Sequence, residues 1–528
     1  MQFAKEVAIE LSIRIKVVEN TVLIKNATVL PFTLQADGSL NLEPQIADVF
    51  IEGDRIAQIA PCIESAPPSA LVVNAANHLL IPGFVNAHAH SMEILEKGNH
   101  EALPLELWML YTYPPLQSQH LDPRLCYLRT LIGAMEMVKY GGTTIQDDLL
   151  ELPYVTPEIF DAVAQAYVDV GMRVSLSLHA INQPLHHTVP YLSDFLPADV
   201  KQDLEAIQGL PDDEWVDLFR HIYQKWQGYQ GLVTTVLAPS ASQRVTPDLM
   251  HRIASLSEEY DVPIHTHLLE TRTQALTGPE LYGASVVAYA KRHGILTHRT
   301  AIAHGVWLTP QDIELIAEAK ATVIHNVVSN HRLCSGIAPI RELMDAGVNI
   351  ALGTDGMSSN DSFNLFDVIK AAGLVHSAID NPYDRYPKAA DVLKWATYGG
   401  ARSALLHHEI GAIAPGMKAD FVLYDLNTLS FTPRHQLPIH LVYAENGSSI
   451  RKVFINGQLV VDQGQVLTVN EADIVAELQD RLPDYAVHRK QILQQAERIR
   501  PAIEKTLSTT LKQPLSIHRF SRPPHYDS

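Results

Sequence analysis

Four places in this chain set metal-ligating or proton-carrying side chains at the end of a short apolar run: His88-Ala-His90, His265-Thr-His267-Leu-Leu-Glu270, His304 and Asp355. Two of the runs, Leu80-Ile-Pro-Gly-Phe-Val-Asn-Ala-His88 and Val348-Asn-Ile-Ala-Leu-Gly-Thr-Asp355, show the pattern, which reads as strand. Imidazoles and a carboxylate gathered from the ends of different strands suit a borderline-soft divalent ion with one open position. Residues i and i+2 of a strand point the same way, so His88 and His90 can chelate one ion. His265 and His267 also share a face; one of them suffices, and the later lies nearer the mouth of a barrel site. Glu270 follows three residues on, where it can lean over a water and both accept and return a proton. His304 is either a ligand or a partner of the attacking water, and Asp355 gives its carboxylate to the ion or to that water. The chemistry expected is that of a metal-dependent hydrolase.

Eight apolar runs must position these groups: Leu80–Val85, Thr143–Asp148, Arg173–His179, Leu232–Ala238, Val262–His267, Thr300–His304, Thr322–Asn326 and Val348–Asp355. Between them lie helix-like segments, among them Leu125–Tyr140, Pro157–Val170, Pro247–Tyr260, Pro310–Ala319 and Ile340–Ala346. Several open on Thr-Pro or Asp-Pro, a capping side chain before proline at the first helical position. Eight units of this size predict an α/β fold, a closed (β/α)8 TIM-like barrel over residues 81–405. The flanks, 21–80 and 406–467, carry short β patterns with the hairpin dipeptides Gly53-Asp54 and Asn456-Gly457, and are expected to pair into one small β-sandwich. Residues 470–505 read as a charged amphipathic helix, and the last twenty or so as a tail. A long stretch between His179 and Leu232, holding His186, His187, Tyr191, Phe195 and Trp215, is either a substrate lid or a plain surface insertion.

Composition narrows the class. The chain has 528 residues, 46% hydrophobic and 19% charged, with no uninterrupted apolar stretch of a membrane span's length (about 18 residues). Its first ten residues lack the apolar core of a secretory signal. Three separated cysteines, Cys62, Cys126 and Cys334, make no disulfide framework and suit a reducing cytoplasm. A formal charge of −19 argues against nucleic acid as a partner. The expected partner is a small molecule, and the long C-terminal helix leaves a homo-oligomer open.

The chain resembles the amidohydrolase superfamily, in the branch of purine, pterin and s-triazine aminohydrolases and chlorohydrolases, over about residues 21–467. The resemblance is carried by Pro82-Gly-Phe-Val-Asn-Ala-His88-Ala-His90, His265-Thr-His267-Leu-Leu-Glu270-Thr, Ala303-His304-Gly, His325-Asn-Val-Val-Ser-Asn330, Ser335-Gly-Ile-Ala-Pro-Ile340 and Ala351-Leu-Gly-Thr-Asp355-Gly. It implies a single ion, Zn²⁺ with Fe²⁺ as the alternative, held by His88, His90, His267 and Asp355. No carbamylated lysine is expected, since Leu237-Ala-Pro-Ser240 offers no lysine. It also implies water activated by the ion with Asp355 and His304, a proton carried by Glu270 to a ring nitrogen, and expulsion of ammonia. Glu270 favours deamination over dehalogenation, because an amino group leaves poorly without a proton and halide does not need one. The alternatives are hydrolysis of a C–Cl, C–S or cyclic amide bond on a similar ring, or a non-catalytic metal-binding relative. In nucleoside-specific relatives a Glu after Trp-Pro and a His after Ala-Pro contact substrate; here Gln117 and Ser240 stand in those places. That replacement points to a free base, pterin or triazine-like ring. Trp108 could stack on the ring or be a core aromatic, and Asn330 could bond a ring edge or brace its loop.

Overall fold

The parallel strands of the computed structural model read as near-continuous apolar runs because both of their faces are covered. In chain order they are Phe84–His90, Gly142–Asp147, Arg173–Ala180, Val233–Pro239, Ile264–Leu268, Thr300–His304 and Thr322–His325, and almost every residue in them is buried. The eighth comes in two pieces, Asn349–Leu352 and Asp355–Gly356. The first piece pairs with the seventh strand and the second with the first strand, Asp355 opposite Ala89, which closes the barrel. The structure describes residues 21–64, 66–207, 209–378 and 383–520; the leader reading at residues 1–10 and the end of the tail at 522–528 fall outside them.

The barrel helices start as their proline pairs dictate. Asp122, Thr156, Thr246 and Thr309 each accept a backbone N–H two or three residues on, ahead of helices Pro123–Lys139, Pro157–Val170, Pro247–Tyr260 and Pro310–Ala319. The first strand corrects the expectation. His78–Pro82 pairs antiparallel with Phe421–Asp425 in the terminal sheet, and the barrel strand begins only at Phe84. The chain changes sheets at Gly83, where a β-carbon would overlap the Thr143 side chain. Gly83→Ala should therefore lower stability by about 1–3 kcal/mol, read as a fall in the denaturant midpoint; an unchanged midpoint would show that Thr143 moves aside freely.

Strands from both ends of the chain join one nine-stranded sheet whose own core includes Ile24, Val49, Ile51, Leu80, Phe421 and Phe454. Asn456 and Gly457, both at positive φ, make the tight turn between Ile450–Ile455 and Gln458–Asp462. The C-terminal helix is two helices, Glu471–Ala496 and Arg500–Lys512. The first lies along Pro123–Lys139 through Arg124–Glu477 (2.5 Å) and Arg481–Asp122 (2.9 Å). The second packs Ile499, Ala502 and Ile503 against Leu107 and Leu110 of helix Leu105–Thr112 and against Leu192, Leu196 and Leu204 of the insertion. The segment expected as a tail is packed as far as it is described: Arg519 O accepts from Ile337 N at 2.8 Å, and Phe520 meets Trp307 edge-on at 5.3 Å. Among the described residues, no helix is long and apolar enough to cross a membrane.

Candidate active site

The carboxyl ends of the barrel strands bring the singled-out groups together. His88 Nε2 and His90 Nε2 lie 3.3 and 3.5 Å from Asp355 Oδ1, and His267 Nε2 lies 3.3 Å from His90 Nε2. His304 and Asp355 both hold positive φ, +73° and +64°, a strained setting for side chains with a Cβ that turns the chain sharply as each strand ends. Of the paired histidines on the fifth strand, His265 is the inner one; its Nε2 meets His88 Nδ1 at 2.8 Å.

Hydrogen bonds fix which ring nitrogen faces the centre. His90 Nδ1 donates to Asp148 O and His267 Nδ1 to Ser240 O, each at 2.8 Å. Both Nε2 atoms are thus turned toward each other, and His88 Nε2 is buried without a well-directed partner. Outer hydrogen bonds of this kind orient imidazoles toward a metal. Burial and neighbouring charge perturb the ionisable groups at the same point. Burial works against charge on His90, yet the carboxylates of Asp355, Glu93 and Asp148 push it up to about 9. Burial, with the charges of His90 and His304, takes His88 down to about 4 against the pull of Asp355, and burial with His88 takes His265 to about 3. Burial also opposes the Asp355 carboxylate, but His88, His304 and His90 hold it well below the usual range. The ligand-type atoms of His88, His90 and His267 lie within 4.8 Å of one another, as do those of His88, His304 and Asp355, a cluster suited to a metal ion.

His304 and Glu270 sit beside that centre. His304 Nε2 is 3.6 Å from Glu270 Oε2 and 3.8 Å from Asp355 Oδ2, while its Nδ1 donates to Asn330 Oδ1 at 2.9 Å. Ser329 Oγ donates to Asp355 Oδ2 at 2.5 Å. Burial, then the charge of Asp355, raises the Glu270 carboxyl well above its ordinary value.

Residues 79–460 match the Amidohydrolase family. The chain belongs to that family. It is 30% identical over 466 residues to the 5-methylthioadenosine/S-adenosylhomocysteine deaminase of Moorella thermoacetica, covering 87% of this chain and 99% of that protein. It is likewise 30% identical over 399 residues to the 5'-deoxyadenosine deaminase of Methanopyrus kandleri, covering 75% and 84%. A zinc-bound crystal structure of an adenosine deaminase from Xanthomonas campestris superposes with a TM-score of 0.75 at 26% identity, covering 91% of this chain and 98% of that one. An atrazine chlorohydrolase from Arthrobacter aurescens, at 24% identity and a TM-score of 0.77 over 87% and 99%, shares the fold. This amidohydrolase is thus an enzyme of the C–N hydrolase kind, an aminohydrolase.

In the amidohydrolase these side chains border two adjoining spaces. An inner chamber of about 50 Å³ is lined by His90, Trp108, Tyr113, His179, Ser240, Arg244, His267, Glu270, His304 and Asp355. Outside it lies a chamber of about 590 Å³ that shares Leu105, Met109, Tyr113, Leu150, Arg244 and Gln274 with the inner one. The insertion supplies much of the outer wall through Ile181, Leu185, Val189, Leu204 and Leu210, and Ile503 of the last helix reaches in from the roof.

Of the residues set down as substrate contacts, Trp108 and Ser240 line the inner chamber, with the Trp108 indole N–H donating to Ser358 O at 3.3 Å. Gln117 is not among the residues that line either chamber; its amide donates to Gln119 O at 3.0 Å and to O of Leu152, a residue of the outer wall, at 3.4 Å. Asn330 Oδ1 accepts from His304 Nδ1, while its Nδ2 is buried without a partner. Sequence reasoning passed over His179 and Asp148, although both close a predicted strand as the chosen histidines do. It also passed over Arg244, which carries no such signal. Trp215, one of the insertion residues, belongs to the helix Asp212–Trp226 and the barrel core, where its indole N–H donates to His179 O at 3.1 Å.

Proposed function

We propose that this amidohydrolase releases ammonia from an aromatic N-heterocycle that carries a bulky, largely apolar substituent. The observation that carries the reading is Glu270, a buried acid with a raised carboxyl beside the converging ligand set. A divalent ion, Zn²⁺ by the chemistry of the donors, would be held by His88, His90, His267 and Asp355 and would bring the pKa of water near neutrality. His304, its Nδ1–H committed to Asn330, presents Nε2 toward Asp355 and Glu270 and accepts a hydrogen bond from the attacking water. Glu270 takes the water's proton and delivers it to the ring nitrogen next to the amino-bearing carbon, which makes that carbon electrophilic. A second proton, from the new hydroxyl, passes by His304 and Asp355 to the amino group, so that ammonia leaves and not its anion.

The outer chamber supports the substituent. Its volume falls among pockets that house whole drug-sized ligands, roughly 300–1,000 Å³, more than a bare ring needs. Glu106 on its wall accepts from Thr271 Oγ at 2.7 Å and keeps acceptor capacity for hydroxyls. The 5′-substituted adenosines that name the Moorella and Methanopyrus relatives therefore come ahead of free bases. The test is ammonia release by zinc-loaded protein from 5′-methylthioadenosine, 5′-deoxyadenosine, adenosine, guanine and melamine. A substituted nucleoside should exceed every bare ring in kcat/KM by about tenfold or more. A bare ring in first place would contradict the substituent, and silence on every compound would contradict deamination.

A further inference from the structure

Arg244 is an anomaly in this interior. Three other arginines drawn in from solvent each meet a carboxylate: Arg129 pairs with Glu151, Arg173 with Asp420 and Arg489 with Glu96. Arg244 makes no ion pair among the described residues. Its guanidinium has five donors and spends two weakly, one on Ser240 Oγ at 3.3 Å and one on the thioether of Met109 at 3.1 Å. An unpaired charge so placed is costly unless something else arrives to pair it. The residue is not loose, however. It ends the short turn Ser242–Arg244, with its N–H on Ala241 O at 2.9 Å and its carbonyl accepting from Asn182 N at 3.2 Å. It lines both chambers, at the neck between them.

His179, on the neighbouring strand end, adds a second and independent observation. Its Nδ1 donates to Asp148 Oδ1 at 2.8 Å, and its carbonyl is held by Trp215. Its side chain is only 2% exposed, yet Nε2 has no partner, and the residue is one of those lining the inner chamber. Strands three and four pair with His179 opposite Ala238, two residues before Ser240, so both free polar groups lie on one side of the barrel mouth.

We propose that Arg244 is a specificity-determining residue that binds an oxygen acceptor on the substrate, with His179 Nε2 fixing a neighbouring polar atom. The acceptor is a carboxylate on the substituent or a carbonyl on the ring; the planar fork of the guanidinium suits either. This rests on the reading of the two chambers as the substrate site.

The test is binding to metal-loaded Glu270→Gln protein, which should hold substrate without converting it. Two matched pairs are compared: S-adenosylhomocysteine against 5′-methylthioadenosine, which differ in a carboxylate-bearing arm, and guanine against 2-aminopurine, which differ in a ring carbonyl. With Arg244 present, the oxygen-bearing member of one pair should bind tighter by about tenfold or more. Arg244→Met should erase that advantage while the other member's Kd stays within about threefold. A preference in the first pair places the acceptor on the substituent, and one in the second places it on the ring. No preference in either pair, or one that survives Arg244→Met with circular dichroism and metal content unchanged, overturns the proposal. Should Arg244→Met fail to fold, Arg244→Lys carries the same test: it keeps the charge, loses the fork, and should weaken the preferred member alone. Ammonia release by the parent enzyme is scored apart, so a silent enzyme with the preference intact counts against deamination and not against Arg244.

Discussion

Glu270→Gln should bind the same amount of metal as the parent protein and deaminate more slowly by about 10²–10⁴-fold. The amide fits the space of the carboxyl and can still hydrogen-bond, but it cannot take a proton from water and hand it on. The ligands proposed for the ion, on His88, His90, His267 and Asp355, all come from other residues, which is why binding of the ion should not change. The raised carboxyl fits this duty: a buried acid beside the charge of Asp355 returns to its protonated form readily after each transfer. The loss should fall on kcat, since the proton is needed in the transition state and not for holding substrate. Parallel metal analysis and steady-state kinetics check both halves. A variant that keeps turnover within about tenfold would show that the proton takes another path, and one that loses its metal would give Glu270 a structural part.

Removing the ion should cost stability as well as turnover. Without a cation the centre packs His90 and His267 nitrogens 3.3 Å apart beside three buried carboxylates, Asp355, Glu93 and Asp148. An ion that binds only the folded chain stabilises it by about 3–4 kcal/mol when free metal stands at 100–1,000 times Kd. Chelated protein should therefore melt earlier than protein given zinc, and the gap should vanish in His88→Ala, whose imidazole is the most deeply buried of the set. The check is a thermal scan of both proteins with and without zinc. Equal midpoints for the parent in the two conditions would show that the cluster is stable on its own hydrogen bonds.

Much of this molecule was legible because strand ends are a simple code. In a closed parallel barrel the interior strands read as unbroken apolar runs, and a polar residue that terminates one faces the mouth. His90, His267, His304 and Asp355 were found that way, and the Thr-Pro and Asp-Pro caps marked the helices between. The same code would have given Asp148 and His179 had it been applied at every strand. The first strand misled because His78–Pro82 and Phe84–His90 are one apolar run in sequence, divided only by the sheet change at Gly83. The outer chamber was beyond sequence reasoning: its walls come from segments near 105, 181–211 and 503, which no periodicity links. Arg244 was hidden for a related reason, since what distinguishes it is the absence of a partner in space.

The central claim is that one ion in the His88, His90, His267 and Asp355 set makes this chain an aminohydrolase. The most direct measurement is ammonia release from 5′-methylthioadenosine by metal-free protein titrated with zinc. Activity should rise in proportion to bound zinc and stop rising at one equivalent per chain, with none before the first addition. Ammonia release that is already full in metal-free protein, or no release at any zinc content from this or the other heterocycles, would contradict the claim.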